Sequence, residues 1–123
     1  MKRSSLAATA LLVSLAAGSA HAFRVLEPVE HSVELSLGDL TLPGNPAGTV
    51  RYRTCATCSL VSRSVGAATI YRLDDRVLSL ADLAVEVEKI RAQPSIHARA
   101  MAFVYYDLDT GRVNRVVVRA GGA

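Results

Sequence analysis

No stretch of this chain is apolar for long enough to cross a membrane. The longest candidate, residues 6–17, is about 12 residues long and interrupted by Thr9 and Ser14, against the ~20 that a spanning helix needs. The common catalytic signatures are missing as well. There is no G-x-S-x-G, no Walker glycine loop, no H-E-x-x-H and no G-x-G-x-x-G. The chain therefore lacks the local sequences that position a serine nucleophile, cradle a nucleotide phosphate or hold a catalytic zinc. Cysteine occurs only as Cys55 and Cys58, and histidine beyond residue 22 only as His31 and His97. A structural zinc site takes four ligands. These four residues supply only one closely spaced pair, so no metal and no cofactor is expected.

A strong charge imbalance is also lacking. The chain has 14 Lys+Arg against 11 Asp+Glu. Lys2 and Arg3 stand in the opening segment, and without them the balance is 12 against 11. No basic field remains to argue for nucleic acid.

The opening segment, MKRSSLAATALLVSLAAGSAHA, has all three parts of a secretory signal. Lys2 and Arg3 make the positive start, an apolar run follows, and Ala20-His21-Ala22 is an A-x-A cleavage site. The expectation is cleavage after Ala22 and export to the periplasm or beyond. No cysteine follows the cleavage site to carry a lipid, so no membrane anchor is expected. Residues 23–120 then make one small domain, and 121–123 a loose tail.

Within that domain the patterns point to an α+β fold with a small, mostly antiparallel sheet of five or six strands and one helix near 79–93. Residues 23–32, with Pro28, read as an extended lead-in or edge strand. In 33-VELSLGDLTL-42 the leucines and Val33 alternate with polar residues, with a bend or bulge at Gly38-Asp39. After the turn-rich 43-PGNPAG-48, 49-TVRYRT-54 sends Val50 and Tyr52 one way and Arg51 and Arg53 the other. Residues 59–65 and 69–73 read as strands, and Asp74-Asp75-Arg76 as a turn from which Val77-Leu78 lead to the helix. The helix is marked by Ser79 with Asp82 three residues on, and by Leu80, Leu83, Val87 and Ile90 on one face. Gln93-Pro94 ends it. Residues 99–120 read as a hairpin turning at Asp109-Thr110-Gly111, its first strand apolar on both faces and so expected to be covered on both. The nine residues 105-YYDLDTGRV-113 resemble the strand–turn of secreted PepSY-type domains. Any D-x-T-G hairpin matches them equally, and no family is assigned on them.

The pair Cys55-x-x-Cys58 is the one motif that carries chemistry. As a redox couple it needs a stabilised thiolate, which thioredoxin-like proteins obtain from a helix N-terminus directly after the motif. Here 59-SLVSRSV-65 follows, which is poor helix material, although Arg51, Arg53 and Arg63 lie close in sequence. As a disulfide in an exported protein the pair suits its oxidising surroundings. A four-residue ring gains only about 2 kcal/mol from chain entropy, so its value would be local, pinning the connection between two strands with Ala56-Thr57 at the tip.

The arginines offer one more feature. Arg51 and Arg53, with Arg115 and Arg119, would form an anion-binding stripe if their strands are neighbours. The leading expectation is a non-catalytic interaction or structural module of the cell envelope, its partner a protein or another envelope component. The alternatives are a thiol–disulfide redox protein using Cys55 and Cys58, and a binding module for an anionic envelope polymer.

Overall fold

The computed structural model describes residues 30–121. The expected leader, its Ala22 cleavage point, residues 23–29 of the lead-in and the last two residues of the tail lie outside the described residues. In chain order the elements are β1 (Glu30–Ser36), a 3-10 turn (Leu37–Asp39), β2 (Leu40–Thr41), β3 (Thr49–Tyr52), β4 (Val61–Ser64), β5 (Ile70–Leu73) and β6 (Arg76–Leu78). Then come α1 (Leu80–Arg91), α2 (Pro94–His97), β7 (Met101–Asp107) and β8 (Val113–Arg119). The fold is mixed α+β and mostly β, with one main helix, as expected.

The strand count differs from the expected five or six. Eight strands form two sheets, a five-stranded one in the order β1-β7-β8-β5-β6 and a three-stranded one in the order β2-β3-β4. Strand β2 falls where the alternation was expected to resume after the bend at Gly38-Asp39, and it pairs in the second sheet. The strand not foreseen is β6, which is too short to show a period-two pattern and occupies the stretch read as a lead into the helix. All pairings are antiparallel except β5 with β8.

The bend at Gly38-Asp39 is where the chain changes sheets. Leu37 ends the alternation of β1 and turns inward with no exposed surface. Its N–H donates to the Ala100 carbonyl at 3.1 Å, and three residues of 3-10 geometry then redirect the chain into the second sheet.

The inner face of the large sheet carries Leu35 of β1, Ala102 and Val104 of β7, Val113, Val116 and Val118 of β8, and Tyr71 and Leu73 of β5, all buried. Against it pack Leu83, Val87 and Ile90 of α1, and Leu40, Val50 and Tyr52 of the small sheet, in one continuous core. The helix also ties the two sheets together, because Arg91 Nη2 donates to the Leu40 carbonyl at 2.9 Å. Burial pushes the pKa of the Tyr71 phenol upward.

A register shift between Tyr105 and Tyr106 puts an extra residue, Asn114, opposite the β7 strand. It lets Val113 and Val116, an odd number of residues apart, both point inward. Asn114 Nδ2 and Arg115 Nη2 both donate to the Glu30 carboxylate, at 2.9 and 2.8 Å, and so hold the end of β1 across β7.

A second cross-link between the sheets is made by Arg63 of β4. Its Nε donates to Tyr52 Oη at 2.8 Å, and its guanidinium lies 3.5 Å from the centre of the Tyr106 ring.

The helix starts as its sequence indicates. Ser79 Oγ accepts from the Asp82 N–H at 3.1 Å, satisfying one of the four free donors of the first turn. Ser79→Ala is expected to cost about 1 kcal/mol, read as a lower urea midpoint at unchanged m-value. Ala92 caps the helix after Arg91, and Pro94 opens the short α2, a turn that the 79–93 reading did not resolve.

The β7–β8 hairpin closes through Asp107, whose carboxylate accepts the N–H groups of Asp109 and Thr110 at 2.8 and 3.0 Å. Gly111 sits at φ +72°, where a side chain would be strained. The backbone donor of Thr110, then that of Asp109, holds the Asp107 carboxyl below its ordinary pKa. A folded pKa below the unfolded one means the contribution is present above the ordinary carboxylate range and lost as pH falls through the folded value. The expected outcome is that the Asp109 and Thr110 amides keep their exchange protection through the ordinary carboxylate range and lose it only as pH falls beneath that range. In Asp107→Asn that acid dependence should disappear.

One expectation about β7 is corrected. Among the described residues only its inner face is covered. Ala102 and Val104 are buried, but Met101, Phe103 and Tyr105 on the other face are only half-buried. No element of the described residues packs over that outer face.

Candidate functional site

The cysteines lie in the connection between β3 and β4, which pair from Thr49↔Ser64 to Tyr52↔Val61. They are joined as a disulfide, with Cα atoms 5.0 Å apart, and no free cysteine exists in the chain. The backbone closes the same ring, as the Cys58 N–H donates to the Cys55 carbonyl at 3.2 Å. Arg53 Nη1 then donates to the Cys58 carbonyl at 3.0 Å. Ala56 and Thr57 form the exposed tip.

Strand β4 follows the motif, and the N-terminus of α1 is more than twenty residues further along. Neither sulfur therefore has a helix dipole directed at it from its own strand–motif unit, the device that stabilises a redox thiolate. The nearest bonded cation, Arg53, is engaged with a carbonyl. What the arrangement does is fix the crossing of the chain between two short strands whose turn lacks Asn-Gly chemistry. Replacing both cysteines by serine is expected to lower stability by about 2 kcal/mol or less, with the amide shifts of the large sheet unchanged. In the wild-type protein, alkylation should find no thiol until a reductant is added.

The structure separates the arginines that the sequence suggested as one stripe. Arg51 lies on the solvent face of the small sheet, opposite Thr41 and Ser62, and Arg53 just beyond β3. Arg115 and Arg119 lie on the outer face of the large sheet. The two pairs are on strands that are not neighbours, because β3 and β8 belong to different sheets.

A different residue joins the second pair. Arg72 of β5 stands opposite Val117, between Arg115 and Arg119 on the same face. Together with Tyr105, Asp74 and Asp75 these residues line a cleft of about 220 Å³. Val117 is its buried floor. Arg115 is fixed in place by its 2.8 Å ion pair with Glu30 and by the Tyr105 ring, whose centre is 4.0 Å from the guanidinium carbon. Asp74, at φ +51°, turns its carboxylate to the Ala120 N–H at 3.2 Å. Among the described residues neither Arg72 nor Arg119 has an ion-pair partner within 4 Å. The Nε–H groups of Arg72 and Arg115 are buried and meet no protein acceptor.

Arg72 was legible in part. In 70-IYRL-73 it alternates with Tyr71 and Leu73, which places it outward. Its neighbours were not legible, because the β5–β8 pairing bridges the whole of α1 and β7 and leaves no local signal.

The histidines do not meet. His31 lies 5.4 Å from the Tyr106 ring, centre to centre, and His97 is in α2 beside Gly38. Among the described residues no three His, Cys, Asp or Glu side chains are grouped to hold a metal ion. No helix among them is long and apolar enough to cross a membrane.

Fold and site together define a small α+β domain with a disulfide-stapled hairpin and an open, arginine-bearing sheet face. No known protein family matches the chain, and no curated protein or solved structure matches it either.

Proposed function

We propose that the protein is an exported, non-catalytic interaction domain of the bacterial cell envelope, most at home in the periplasm, and that its working surface is the outer face of the large sheet. The observation that carries this reading is the chemistry of that face. Ile70 and Val77 are 49% and 66% exposed, Met101, Phe103 and Tyr105 are half-buried, and Arg72, Arg115 and Arg119 stand among them. Apolar surface mixed with arginine and tyrosine is the composition of binding surfaces. The partner, whether a protein or another envelope component, presents acceptor groups to the guanidiniums of Arg72 and Arg119, which have no ion-pair partner among the described residues. The Cys55–Cys58 bond has a supporting role, fixing the small sheet that packs the opposite side. The three-part opening segment supports export.

The test is made in cells. A photo-cross-linking residue at Phe103 is expected to yield a defined adduct, and the same residue at Thr41 on the small sheet none. The protein should be released by osmotic shock with Phe23 at its N-terminus. Equal labelling from both positions, or retention in the cytoplasm at full length, would contradict the reading. Exposure of Cys55 favours a second reading, a periplasmic thiol–disulfide redox protein using Cys55 and Cys58, which requires turnover that depends on those two sulfurs.

A further inference from the structure

We infer that the cleft between Arg72, Arg115 and Arg119 is a binding site for an acidic sugar: one oxyanion, carboxylate or phosphate, with hydroxyl groups beside it. The inference rests on the interaction reading above and names the ligand of that surface.

Three features of the cleft point to an oxyanion. The guanidinium groups reach it from two adjacent parallel strands, with Arg72 opposite Val117 and the other two flanking that residue on β8. They thus surround one small volume rather than spreading along the sheet. Arg115 is already immobilised by Glu30 and Tyr105, so little side-chain entropy remains to be lost on binding. The guanidiniums of Arg72 and Arg119 have no ion-pair partner among the described residues, and an oxyanion is the group that satisfies guanidinium donors in pairs.

The carboxylates narrow the class. Asp74 and Asp75 line the same cleft and Glu30 neutralises Arg115, so the three positive charges face three negative ones. A bare anion is not drawn in by net field. Recognition must instead come from directional hydrogen bonds: the oxyanion takes the donors of Arg72 and Arg119, and Asp75, which holds no hydrogen bond within the described residues, accepts from a neighbouring hydroxyl. A sugar carrying one acid group offers both kinds of atom. It occurs either as a free acid or as a unit of a charged polymer.

The experiment is calorimetric titration of the mature protein with glucuronate, glucose 6-phosphate, inorganic phosphate and glucose, and with a polyuronate. The expected result is saturable binding of glucuronate or glucose 6-phosphate and none of glucose. Arg72→Gln and Arg119→Gln should each weaken it about 10-fold or more, as expected for loss of a charge-assisted hydrogen bond. Arg51→Gln, on the other sheet, should leave it unchanged, and circular dichroism confirms that each variant is folded. A polyuronate that binds more tightly per sugar than the monomer identifies the polymer as the source, and equal affinity per sugar the free acid. Inorganic phosphate binding as tightly as the sugar acids would overturn the sugar assignment. Absence of binding by every acid, or binding that survives both arginine changes, would overturn the site. If that happens while Phe103 still cross-links to its partner, the cleft assignment fails and the interaction reading stands.

Discussion

Leu37→Ala is expected to destabilise the domain by about 2–5 kcal/mol, the range for truncating a fully buried leucine. Leu37 has no exposed surface and sits where the chain leaves β1 for the second sheet. Its side chain belongs to the single core formed by both sheets and α1. A cavity here cannot collapse freely, because the backbone is pinned by the Leu37 N–H to Ala100 carbonyl bond and by β1 pairing with β7 along its whole length. A domain of this size has a stability of about 5–15 kcal/mol, so the change removes a large share of it. Urea denaturation followed by circular dichroism reads the effect. Leu60→Ala, at a side chain 50% exposed, is the contrasting substitution and should change stability by no more than about 0.5 kcal/mol.

Arg63→Met is expected to cost about 2–3 kcal/mol, the second largest effect. Methionine keeps much of the apolar stem and removes the charge. The Tyr52 hydroxyl then loses its donor inside the core, where Tyr52 is 2% exposed, and an unsatisfied buried hydroxyl costs about 1–3 kcal/mol. The contact with the Tyr106 ring adds about 0.5–2 kcal/mol. The double variant Arg63→Met with Tyr52→Phe should recover part of the loss, because no buried hydroxyl is then left unpaired. Arg53→Met, at an exposed position bonded only to the Cys58 carbonyl, should fall within about 0.5 kcal/mol of the wild type. If Arg63 and Arg53 prove equivalent, the small sheet is not latched to the large one in this way.

These two residues also mark how far the sequence can be read. Elements with local signals were legible. Ser79 with Asp82, and the spacing of Leu83, Val87 and Ile90, give α1 within a residue or two. Val50 and Tyr52 alternate with Arg51 and give β3, and Asp109-Thr110-Gly111 gives the β7–β8 turn. Features that depend on pairing across the chain were not legible. Arg63 reads as one polar residue in a serine-rich strand, and nothing nearby says that Tyr52 and Tyr106 await it. Leu37 continues a period-two pattern, yet it ends the strand. Strand β6 is too short to have a period at all.

The same division holds for the candidate site. The disulfide was legible because both partners lie three positions apart in an otherwise cysteine-free chain. The cleft was half legible. Arg115 and Arg119 are placed outward by alternation along β8, but Arg72 reaches them only through the one parallel pairing in the fold. Asn114, the extra residue of β8, hides the alternation of Val113 with the strand that follows it.

The proposal that the domain is non-catalytic turns on the Cys55–Cys58 bond acting as a staple between β3 and β4, and the most direct measurement is insulin reduction by the wild-type mature protein in the presence of dithiothreitol. The expected rate equals that of dithiothreitol alone and is the same for Cys55→Ala. Turnover above that background, abolished by Cys55→Ala, would contradict the claim and make the exposed turn a redox site.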